Sequence, residues 1–472
     1  MSLLDQTVPG AALQSLAPAP AGDPAGWGTR NAHDPTVVRD TDGSWYMFST
    51  DAAAGADSVA AGVHVRRSAD LVHWSFAGTA LPGVPEAAFA WSQAPGLWAP
   101  EVVRWSADGD TAVRWHMYYS ASTFGSNTSA IGLAVASSLA GPWADQGIVV
   151  GTTAGVDSQN AIDAAVTFDR TGTPWLTYGS FFSGIYTLPL DRETGRPVTP
   201  GDLGTLIAAR ALSVERAIEG AYILYRREED RYVLFASYDS LFDSYNVRVA
   251  VAEEITGPYT DLLHRSMTDL DAAPSSIGTK LLGSHRFGAD TGWLAPGHNS
   301  ILVEPGLPGA AGDGADEYFM VHHVRFADDP SQHVVQLRRT FFTAAGWPVV
   351  SPQPFAGAAV EALPEPVSLA GPWSAVRLAP DSTALVDAAP VRVDLAVLEA
   401  DAPARLFDGR TELVRIVVAG TGASDAAPGT ELVGTELDAV LFASWDWANA
   451  RPALSFSGLA ADGVAWFGTR GA

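Results

Sequence analysis

The chain of 472 residues contains no cysteine and has few basic residues. Without a thiol, neither a disulfide framework nor a thiolate metal site can form. There are 28 Lys and Arg residues against 53 Asp and Glu residues, which gives a formal net charge of −25. Because phosphate binding needs clustered basic side chains, this balance excludes a nucleic-acid partner and disfavours an anionic membrane surface.

Long hydrophobic runs are also missing, although 47% of the residues are hydrophobic. No stretch approaches the roughly 18 to 20 apolar residues of a transmembrane helix, so we expect no membrane partner. The N-terminal region lacks the basic and apolar segments of a secretory signal. We therefore expect a cytoplasmic monomer, or a secreted one if a leader has been removed from this sequence.

Glycine and aromatic residues are abundant. The chain has 46 Gly, 15 Trp, 19 Phe and 12 Tyr residues, and only 17% of its residues are charged. This mixture favours many short strands joined by tight turns, and therefore an all-β protein. At this length the chain accommodates two domains, one of them large.

Five segments of the sequence share one pattern, which is a polar opener, an apolar strand, a turn and an aromatic-rich strand. The openers fall about 55 to 80 residues apart, near Asp34, Glu101, Asp163, Glu219 and Asn299. Four short strands fit each interval, and a radial repeat of four-stranded sheets is a β-propeller. The repeat predicts five blades, since a sandwich or a solenoid has no reason to repeat the opener.

The residues on either side of the repeats differ from them in composition. Residues 1–27 are rich in Ala and Pro, which predicts a tail that packs across the propeller or stays mobile. Residues 357–472 contain short alternating runs such as VRVDLAVLEA and ELVRIVVAG, which are typical of a small β-sandwich or barrel. The predicted catalytic propeller is therefore the region 28–356.

Four of the five openers are carboxylates, and the innermost strands of a propeller line its axial channel. Asp34, Asp163 and Glu219 should therefore converge at one mouth of this channel, where mutual repulsion keeps at least one of them protonated near neutral pH. Each residue alone has an ordinary explanation, since Asp-Pro often marks a turn and Glu219 could simply end a loop. Their recurrence in the repeat favours catalysis, because buried carboxylates are rare without a purpose.

Glycoside hydrolysis by inversion needs a carboxylate that takes a proton from water and a carboxylic acid that protonates the leaving oxygen, about 6.5 to 9.5 Å apart. Blades 1 and 4 of five lie nearly across the channel from each other, and blade 3 lies next to blade 4. This geometry predicts Asp34 as the general base and Glu219 as the general acid. Asp163 then raises the pKa of the acid and orients it.

The ordered motifs HDP, LWAPE, NAID, AIEGAYI and GHNS resemble those of glycoside hydrolase family 43, in particular its endo-1,5-α-L-arabinanases. The resemblance covers residues from about 28 to 355 and implies a five-bladed propeller that hydrolyses by inversion. By motif match it implies the same base, acid and pKa modulator. The chain departs from the family pattern at Ala164 and Ala221, where proline is frequent, and at Glu101, where aspartate is usual.

The resemblance also implies a metal site. His298 in PGHNS matches the family's axial histidine, which helps to hold an ion, usually calcium, in the channel beneath the carboxylates. Calcium prefers oxygen ligands, so one imidazole with several waters is an unusual shell. The alternative is a histidine that is hydrogen-bonded to a neighbouring blade.

Sugar-binding sites combine aromatic platforms with amide and hydroxyl groups, and several residues beside the openers fit this description. The candidate substrate contacts are His33, Trp98, Phe124, Asn127, Asn160, Ser180 and Phe182.

The sequence therefore predicts a hydrolase that cleaves α-1,5-linked arabinan or arabino-oligosaccharides internally. One alternative keeps the mechanism and changes the substrate or mode, as an exo-acting α-L-arabinofuranosidase or β-xylosidase of the same family. An open groove against a closed pocket would separate these two. A more distant alternative is a non-catalytic carbohydrate-binding propeller, which would have no need of three axial carboxylates.

Overall fold

The computed structural model describes residues 23–53, 60–106, 113–289, 292–305, 316–396, 406–420 and 434–471. Most of the predicted N-terminal tail lies outside these residues. The described chain is nearly all strand, with two short α-helices, α1 (Glu86–Ser92) and α2 (Ala358–Glu361). Neither helix has the length and hydrophobicity needed to cross a bilayer. The predicted all-β class is confirmed.

Blades 1 to 4 are antiparallel four-stranded sheets whose strands follow one another in the sequence. Blade 1 consists of β1 (Thr36–Arg39), β2 (Trp45–Ser49), β3 (His64–Ser68) and β4 (Trp74–Thr79). Blade 2 consists of β5 (Trp98–Trp105), β6 (Arg114–Ala121), β7 (Ser129–Ala136) and β8 (Ala144–Thr152). Blade 3 consists of β9 (Ala165–Phe168), β10 (Pro174–Tyr178), β11 (Ile185–Pro189) and β12 (Thr205–Ala208). Blade 4 consists of β13 (Ile218–Arg226), β14 (Arg231–Tyr238), β15 (Asn246–Ala252) and β16 (Thr279–Leu282).

Blade 5 is a larger sheet of six strands. Its four blade strands are β18 (Trp293–Glu304), β19 (Glu317–Phe326), β20 (His333–Phe342) and β21 (Pro348–Val350). Two short strands extend the sheet beyond β18, namely β17 (His285–Arg286) and β24 (Val386–Asp387). Because β24 comes from the C-terminal region and pairs in parallel with β17, the sheet joins that region to the propeller.

The C-terminal region forms a closed six-stranded barrel. Its strands are β23 (Trp373–Leu378), β25 (Ala389–Leu395), β27 (Glu412–Gly420), β28 (Thr435–Asp446), β29 (Arg451–Ala460) and β30 (Ala465–Gly471). A separate two-stranded ladder pairs β22 (Val367–Ser368) with β26 (Leu406–Phe407). Of the two C-terminal architectures expected from the sequence, the barrel is the one observed.

Turn residues in the sequence explain where the innermost hairpins reverse. In the turn between β1 and β2, Gly43 has φ of 90° and its N–H donates to the carbonyl of Asp40 at 3.1 Å. The turn between β9 and β10 repeats this arrangement with Gly172 at φ of 82° and the carbonyl of Asp169 at 2.8 Å. Glycine adopts this left-handed conformation without a Cβ penalty, so both hairpins are set by local sequence.

Blades 1 and 5 meet largely through side-chain packing, since their sheets share no strand within the described residues. Their common core includes Trp45 of β2 together with Leu302 and Phe319 of blade 5. At this interface the buried carboxylate of Glu304 accepts a hydrogen bond from Trp45 Nε1 at 2.6 Å and lies 3.3 Å from Arg39 Nη1. Ring closure therefore includes a buried polar contact as well as apolar packing.

A short backbone contact reinforces the same closure. The N–H of Val335 in β20 donates to the carbonyl of Thr29 at 2.9 Å, and the N–H of Asn31 donates to the carbonyl of His333 at 3.0 Å. The fully buried guanidinium of Arg66 in β3 donates to the carbonyls of Gly28 and Asn31. These contacts fix the segment that leads into Asp34.

The barrel packs against blades 4 and 5 through one continuous hydrophobic cluster. The rings of Phe341 in β20 and Phe442 in β28 stack with their centroids 4.2 Å apart. Barrel residues Val376 and Phe467 lie in the same cluster as Phe235 of blade 4. The barrel and the propeller therefore share a core, and removal of the barrel would expose part of the propeller's own core.

Glu304→Ala should destabilise the protein, because it leaves the Trp45 indole N–H without its acceptor inside the interface between blades 1 and 5. We expect the free energy of unfolding to fall by about 3 kcal/mol, as is usual when one partner of a buried polar pair is removed. Denaturant titration measures this change.

Glu436→Gln is the matched control, since Glu436 forms an exposed pair with Arg415 at 2.8 Å. An exposed pair contributes roughly 0 to 1 kcal/mol, so this variant should unfold almost as the wild type does. If both variants lose the same small amount of stability, Glu304 does not support closure.

Candidate active site

Near the start of each blade a residue at an equivalent position adopts the left-handed backbone region. The φ angles are 50°, 39°, 61°, 56° and 49°, for Asp34, Ala99, Asp163, Gly220 and His298 respectively. Asp34 and Asp163 lie two residues before β1 and β9, and the others interrupt the pairing of β5, β13 and β18 with their neighbours. This conformation is unfavourable for residues with a Cβ. Because this conformation recurs in every blade, it identifies the equivalent residue of each repeat at the channel mouth.

In three blades the left-handed residue is not the opener that the sequence pattern identified. Glu101 lies two residues after Ala99, Glu219 lies one residue before Gly220, and Asn299 lies one residue after His298. Asp34 and Asp163 are therefore equivalent, whereas the acid of blade 4 is displaced by one residue. The sequence pattern missed the offset because the segments were aligned by residue type, and the left-handed position is occupied by four different residue types in the five blades.

Glu101 and Asn299 are buried below this level and are not among the residues that line the active-site cavity. Burial raises the pKa of Glu101 to about 8, and a hydrogen bond with the Thr36 side chain opposes the shift only in part. Glu101 is therefore largely a neutral acid at neutral pH, which is consistent with its place in the interior of the channel.

A cavity of about 770 Å³ opens at the channel mouth. It is lined by all nine candidate residues that the sequence singled out most strongly: His33, Asp34, Trp98, Phe124, Asn160, Asp163, Ser180, Glu219 and His298. Phe182 lines it too. Asn127 does not, because its amide donates to the carbonyls of Asp157 and Gln159, at 2.9 Å in each case, and holds the loop that precedes Asn160.

The cavity has an apolar rim and a polar floor. Phe124 is 78% exposed, and its ring centroid lies 5.5 Å from that of Trp98, so the two rings form a platform from blade 2. Asn160 accepts a hydrogen bond from Ser129 Oγ at 2.7 Å and donates to the carbonyl of Ser180 at 3.3 Å. These contacts hold the amide rigidly beneath the rim.

Asp34 is held as an ionised carboxylate. Its Oδ1 lies 2.8 Å from His33 Nδ1 and 3.0 Å from His298 Nδ1, and its Oδ2 accepts a hydrogen bond from Thr50 Oγ1 at 2.6 Å. Burial alone would raise the pKa of Asp34, but the charges of His33 and His298 and their hydrogen bonds hold it well below its usual range. Asp34 can therefore accept a proton over the whole neutral range.

Glu219 and Asp163 have the opposite character. Burial raises the pKa of Glu219 although Ser180 Oγ donates to its Oε2 at 2.7 Å and Tyr245 OH donates to its Oε1 at 2.9 Å. Burial also raises the pKa of Asp163 to about 7, and repulsion by Glu219 and Asp34 adds to this shift against the attraction of His298. Buried carboxylates that repel each other retain a proton between them. The site thus holds an ionised Asp34 beside two carboxyl groups, Glu219 and Asp163, that retain a proton between them.

His298 lies between these carboxylates. Burial would lower its pKa, but the charges of Asp34 and Asp163 raise it to about 9. Its backbone N–H donates to Ser237 Oγ at 2.8 Å. At Gly220 a Cβ would lie 2.9 Å from His298 Cγ, so space requires glycine there, whereas the other blades hold larger residues at a similar φ. This steric requirement accounts for the glycine in the EG motif.

The side chains around His298 do not form a calcium shell. Its Nδ1 already faces Asp34, and a protonated imidazole cannot bind a cation. Within the described residues, the group of three or more acidic and imidazole side chains whose ligand atoms converge comprises His33, Asp34 and His323, without His298. Calcium prefers six to eight oxygen ligands. An ion on His298 would therefore need the neutral imidazole and a shell made mostly of water.

Three site residues escaped the sequence analysis. Thr50 links two blades, because its hydroxyl donates to Asp34 and accepts the N–H of Ala99 at 2.9 Å. His323 lies behind the base and stacks on His33 with ring centroids 3.6 Å apart. Tyr245 contacts the acid from outside the repeated position. None of them belongs to a repeated opener, so only the folded chain reveals their proximity.

A five-bladed propeller whose axial cavity brings together buried carboxyl groups with opposite pKa shifts has the architecture expected of a glycoside hydrolase. The family model described as Glycosyl hydrolases family 43 matches residues 28–348. The chain therefore belongs to this family, and the resemblance inferred from its motifs is confirmed.

Known relatives agree with this assignment. The chain is 32% identical to the extracellular endo-alpha-(1->5)-L-arabinanase of Thermotoga petrophila over 70% of its length and 73% of the relative's. It is 30% identical to the extracellular exo-alpha-(1->5)-L-arabinofuranosidase ArbA of Cellvibrio japonicus, over 68% and 86% of the two chains. The crystal structure of the endo-1,5-alpha-L-arabinanase from Thermotoga petrophila superimposes with a TM-score of 0.74 at 28% identity and covers 93% of this chain and 98% of that one.

Asp163→Asn should shift the pH dependence of hydrolysis. The substitution removes a negative charge that disfavours ionisation of Glu219, so the pKa of Glu219 falls. An acid with a lower pKa loses its proton at lower pH, and the alkaline limb of kcat/KM therefore moves to lower pH. We expect kcat/KM at pH 7 to fall on the order of 10²-fold as well. The profile measured between pH 4 and pH 9 tests this, and an alkaline limb that stays in place would exclude Asp163 as the modulator.

Proposed function

We propose that the protein is an endo-acting hydrolase of α-1,5-linked L-arabinan that works with inversion of configuration. The observation that carries the proposal is the opposite tuning of Asp34 and Glu219, whose pKa values are lowered and raised within one cavity. An inverting glycosidase needs this pair of a ready base and a protonated acid.

Each catalytic residue has a defined part in the proposed reaction. Asp34 takes a proton from a water molecule while the water oxygen forms a bond to the anomeric carbon. Glu219 gives its proton to the glycosidic oxygen as the bond to the anomeric carbon breaks. Asp163, whose pKa is raised to about 7 by burial and by the charge of Glu219, repels an ionised Glu219 in return and so favours the protonated acid. It also accepts a hydrogen bond at 3.2 Å from the N–H of Gly220, the residue next to Glu219.

The substrate follows from the relatives and from the shape of the cavity. The curated arabinan-active relatives include both an endo-acting and an exo-acting enzyme at about equal identity, so identity alone does not separate the two modes. The rim favours endo action, because exposed apolar side chains border the cavity on several sides. They are Phe124 of blade 2, Leu212 in the connection between blades 3 and 4, and Phe242 of blade 4. Furanose rings on both sides of the scissile bond can rest on such a wide rim.

Linear α-1,5-arabinan is the substrate that tests the proposal. We expect oligosaccharides of mixed length to appear before free arabinose, since an endo enzyme cuts within the polymer. NMR of the first products should show the anomeric configuration opposite to that of the substrate. Release of arabinose alone from the start would instead favour an exo-acting arabinofuranosidase, and retention of configuration would reject the inverting mechanism.

Glu219→Gln serves as the control for this assay. The amide fills nearly the same volume but cannot supply a proton, so hydrolysis of arabinan should fall by roughly 10² to 10⁴-fold. Full activity of this variant would show that the measured hydrolysis does not come from this site.

A calcium ion in the channel is a separate proposal, which the family resemblance implies and the imidazolium state of His298 opposes. Asp34, Asp163 and Glu219 repel one another, and their charges all act on His298. A cation would reduce the repulsion among these carboxylates, but it needs a neutral His298 and a shell made mostly of water. If calcium binds here, chelation should lower both activity and the melting temperature, and added calcium should restore the wild type but not His298→Ala. Elemental analysis that finds no metal, together with insensitivity to chelation, would leave His298 as the imidazolium partner of Asp34.

A further inference from the structure

The two carboxyl oxygens of Glu219 have different partners on different sides. Oε2 accepts a hydrogen bond from Ser180 Oγ at 2.7 Å, and Ser180 lines the cavity together with Glu219. Oε1 accepts a hydrogen bond from Tyr245 OH at 2.9 Å, and Tyr245 is not among the cavity-lining residues. Oε2 is therefore the oxygen on the substrate side, and Oε1 is held from behind.

Packing fixes the position of the Tyr245 phenol. The side chain is 1% exposed, and its ring stacks on His323 with centroids 5.7 Å apart. On the other side lies Gly297 of β18, where a Cβ would be only 2.1 Å from Tyr245 Cδ1. Only glycine leaves room for the ring at this point. The phenol therefore has one orientation, and its oxygen is directed at Glu219.

The two hydroxyl partners are not equivalent as hydrogen-bond groups. Burial and then the charges of Glu219, Asp163 and Asp34 raise the pKa of Tyr245 well above its usual value, so the phenol keeps its proton and donates it to Oε1. A serine hydroxyl rotates freely and both donates and accepts. Because Ser180 lines the cavity, its hydroxyl can instead accept a hydrogen bond from a protonated Oε2 and donate its own to water or a sugar hydroxyl.

From this asymmetry, and resting on the proposed function, we propose that Tyr245 is a positioning residue that reserves Oε1 as an acceptor and keeps the catalytic proton of Glu219 on Oε2. In the reaction the Oε2–H bond breaks as its proton passes to the glycosidic oxygen, while the bond from that oxygen to the anomeric carbon breaks. Glu219 is left as a carboxylate with Tyr245 still donating to Oε1. The same hydrogen bond thus serves the acid before and after proton transfer.

Tyr245→Phe tests the proposal, because it removes the hydroxyl and leaves the ring between His323 and Gly297. With the proton free to occupy either oxygen, acid assistance weakens and more negative charge develops on the leaving oxygen. We expect kcat on arabinan to fall about 10- to 100-fold with little change in KM. Across aryl α-1,5-arabinotriosides whose phenols differ in acidity, kcat/KM should depend more steeply on the leaving-group pKa than in the wild type.

Two further variants make the result decisive. Tyr118→Phe removes another buried hydroxyl, which donates to the Gly195 carbonyl at 2.7 Å, and should leave the leaving-group dependence unchanged. Ser180→Ala keeps the Tyr245 contact, so it should raise KM while the dependence stays near that of the wild type. Thermal melts establish that each variant is folded.

The proposal is overturned if folded Tyr245→Phe loses activity equally on all leaving groups, or if Ser180→Ala is the variant with the steeper dependence. The second criterion applies even if Tyr245→Phe does not fold. A wild type that fails to hydrolyse arabinan would instead contradict the proposed function, so the two failures are distinguishable.

Discussion

The organisation of this protein depends on the burial of like charges on one axis. Asp34, Asp163 and Glu219 come from three blades and are almost completely buried. The Asp34 side chain is 12% exposed, and the residues Asp163 and Glu219 are 5% and 8% exposed. Mutual repulsion alone would raise the pKa of all three carboxylates alike. The imidazoles of His33 and His298 both contact Asp34, so their positive charge stabilises the ionised form of this carboxylate most. Asp163 and Glu219 lack such contacts among the described residues and retain a proton between them. This unequal distribution of positive charge separates the pKa values of similar side chains, as the proposed base and acid require.

Backbone geometry brings these groups to the axis at the same level. Every blade places one left-handed residue at the channel mouth, and that residue turns the chain so that neighbouring side chains point into the cavity. The repeat supplies only the backbone position. Its occupants differ, since two blades place an aspartate there, one a histidine, one a glycine and one an alanine. Function therefore arises from variation at a repeated position, supported in blade 4 by an acid displaced by one residue.

Much of this arrangement could be predicted from the sequence, because it is encoded locally. Turn glycines such as Gly43 and Gly172 and the alternation of polar openers with aromatic strands revealed the blades, and blade order placed Asp34 opposite Glu219. The equivalence of Gly220 with Asp34 was not recognisable, because backbone strain has no fixed residue type. Thr50 and Tyr245 contact Asp34 and Glu219 within blades 1 and 4, but they lie outside the repeated openers and carry no sequence signal of these contacts. The contact of His323 with Asp34 forms only when blades 5 and 1 meet.

Closure is the step that converts these local features into a site, and its contacts converge on the segment around Asp34. Arg66 holds the carbonyls of residues just before Asp34, and Ser300 Oγ of blade 5 donates to the carbonyl of Pro35 just after it at 2.8 Å. The Asp34 side chain itself bonds to Thr50, which in turn binds Ala99 of blade 2. Because the base is tied to blades 1, 2 and 5 at once, its ionised state and its position both depend on the completed ring. A chain with five correctly folded blades but an open ring would lack the His298 contact, and with it the low pKa that the base requires.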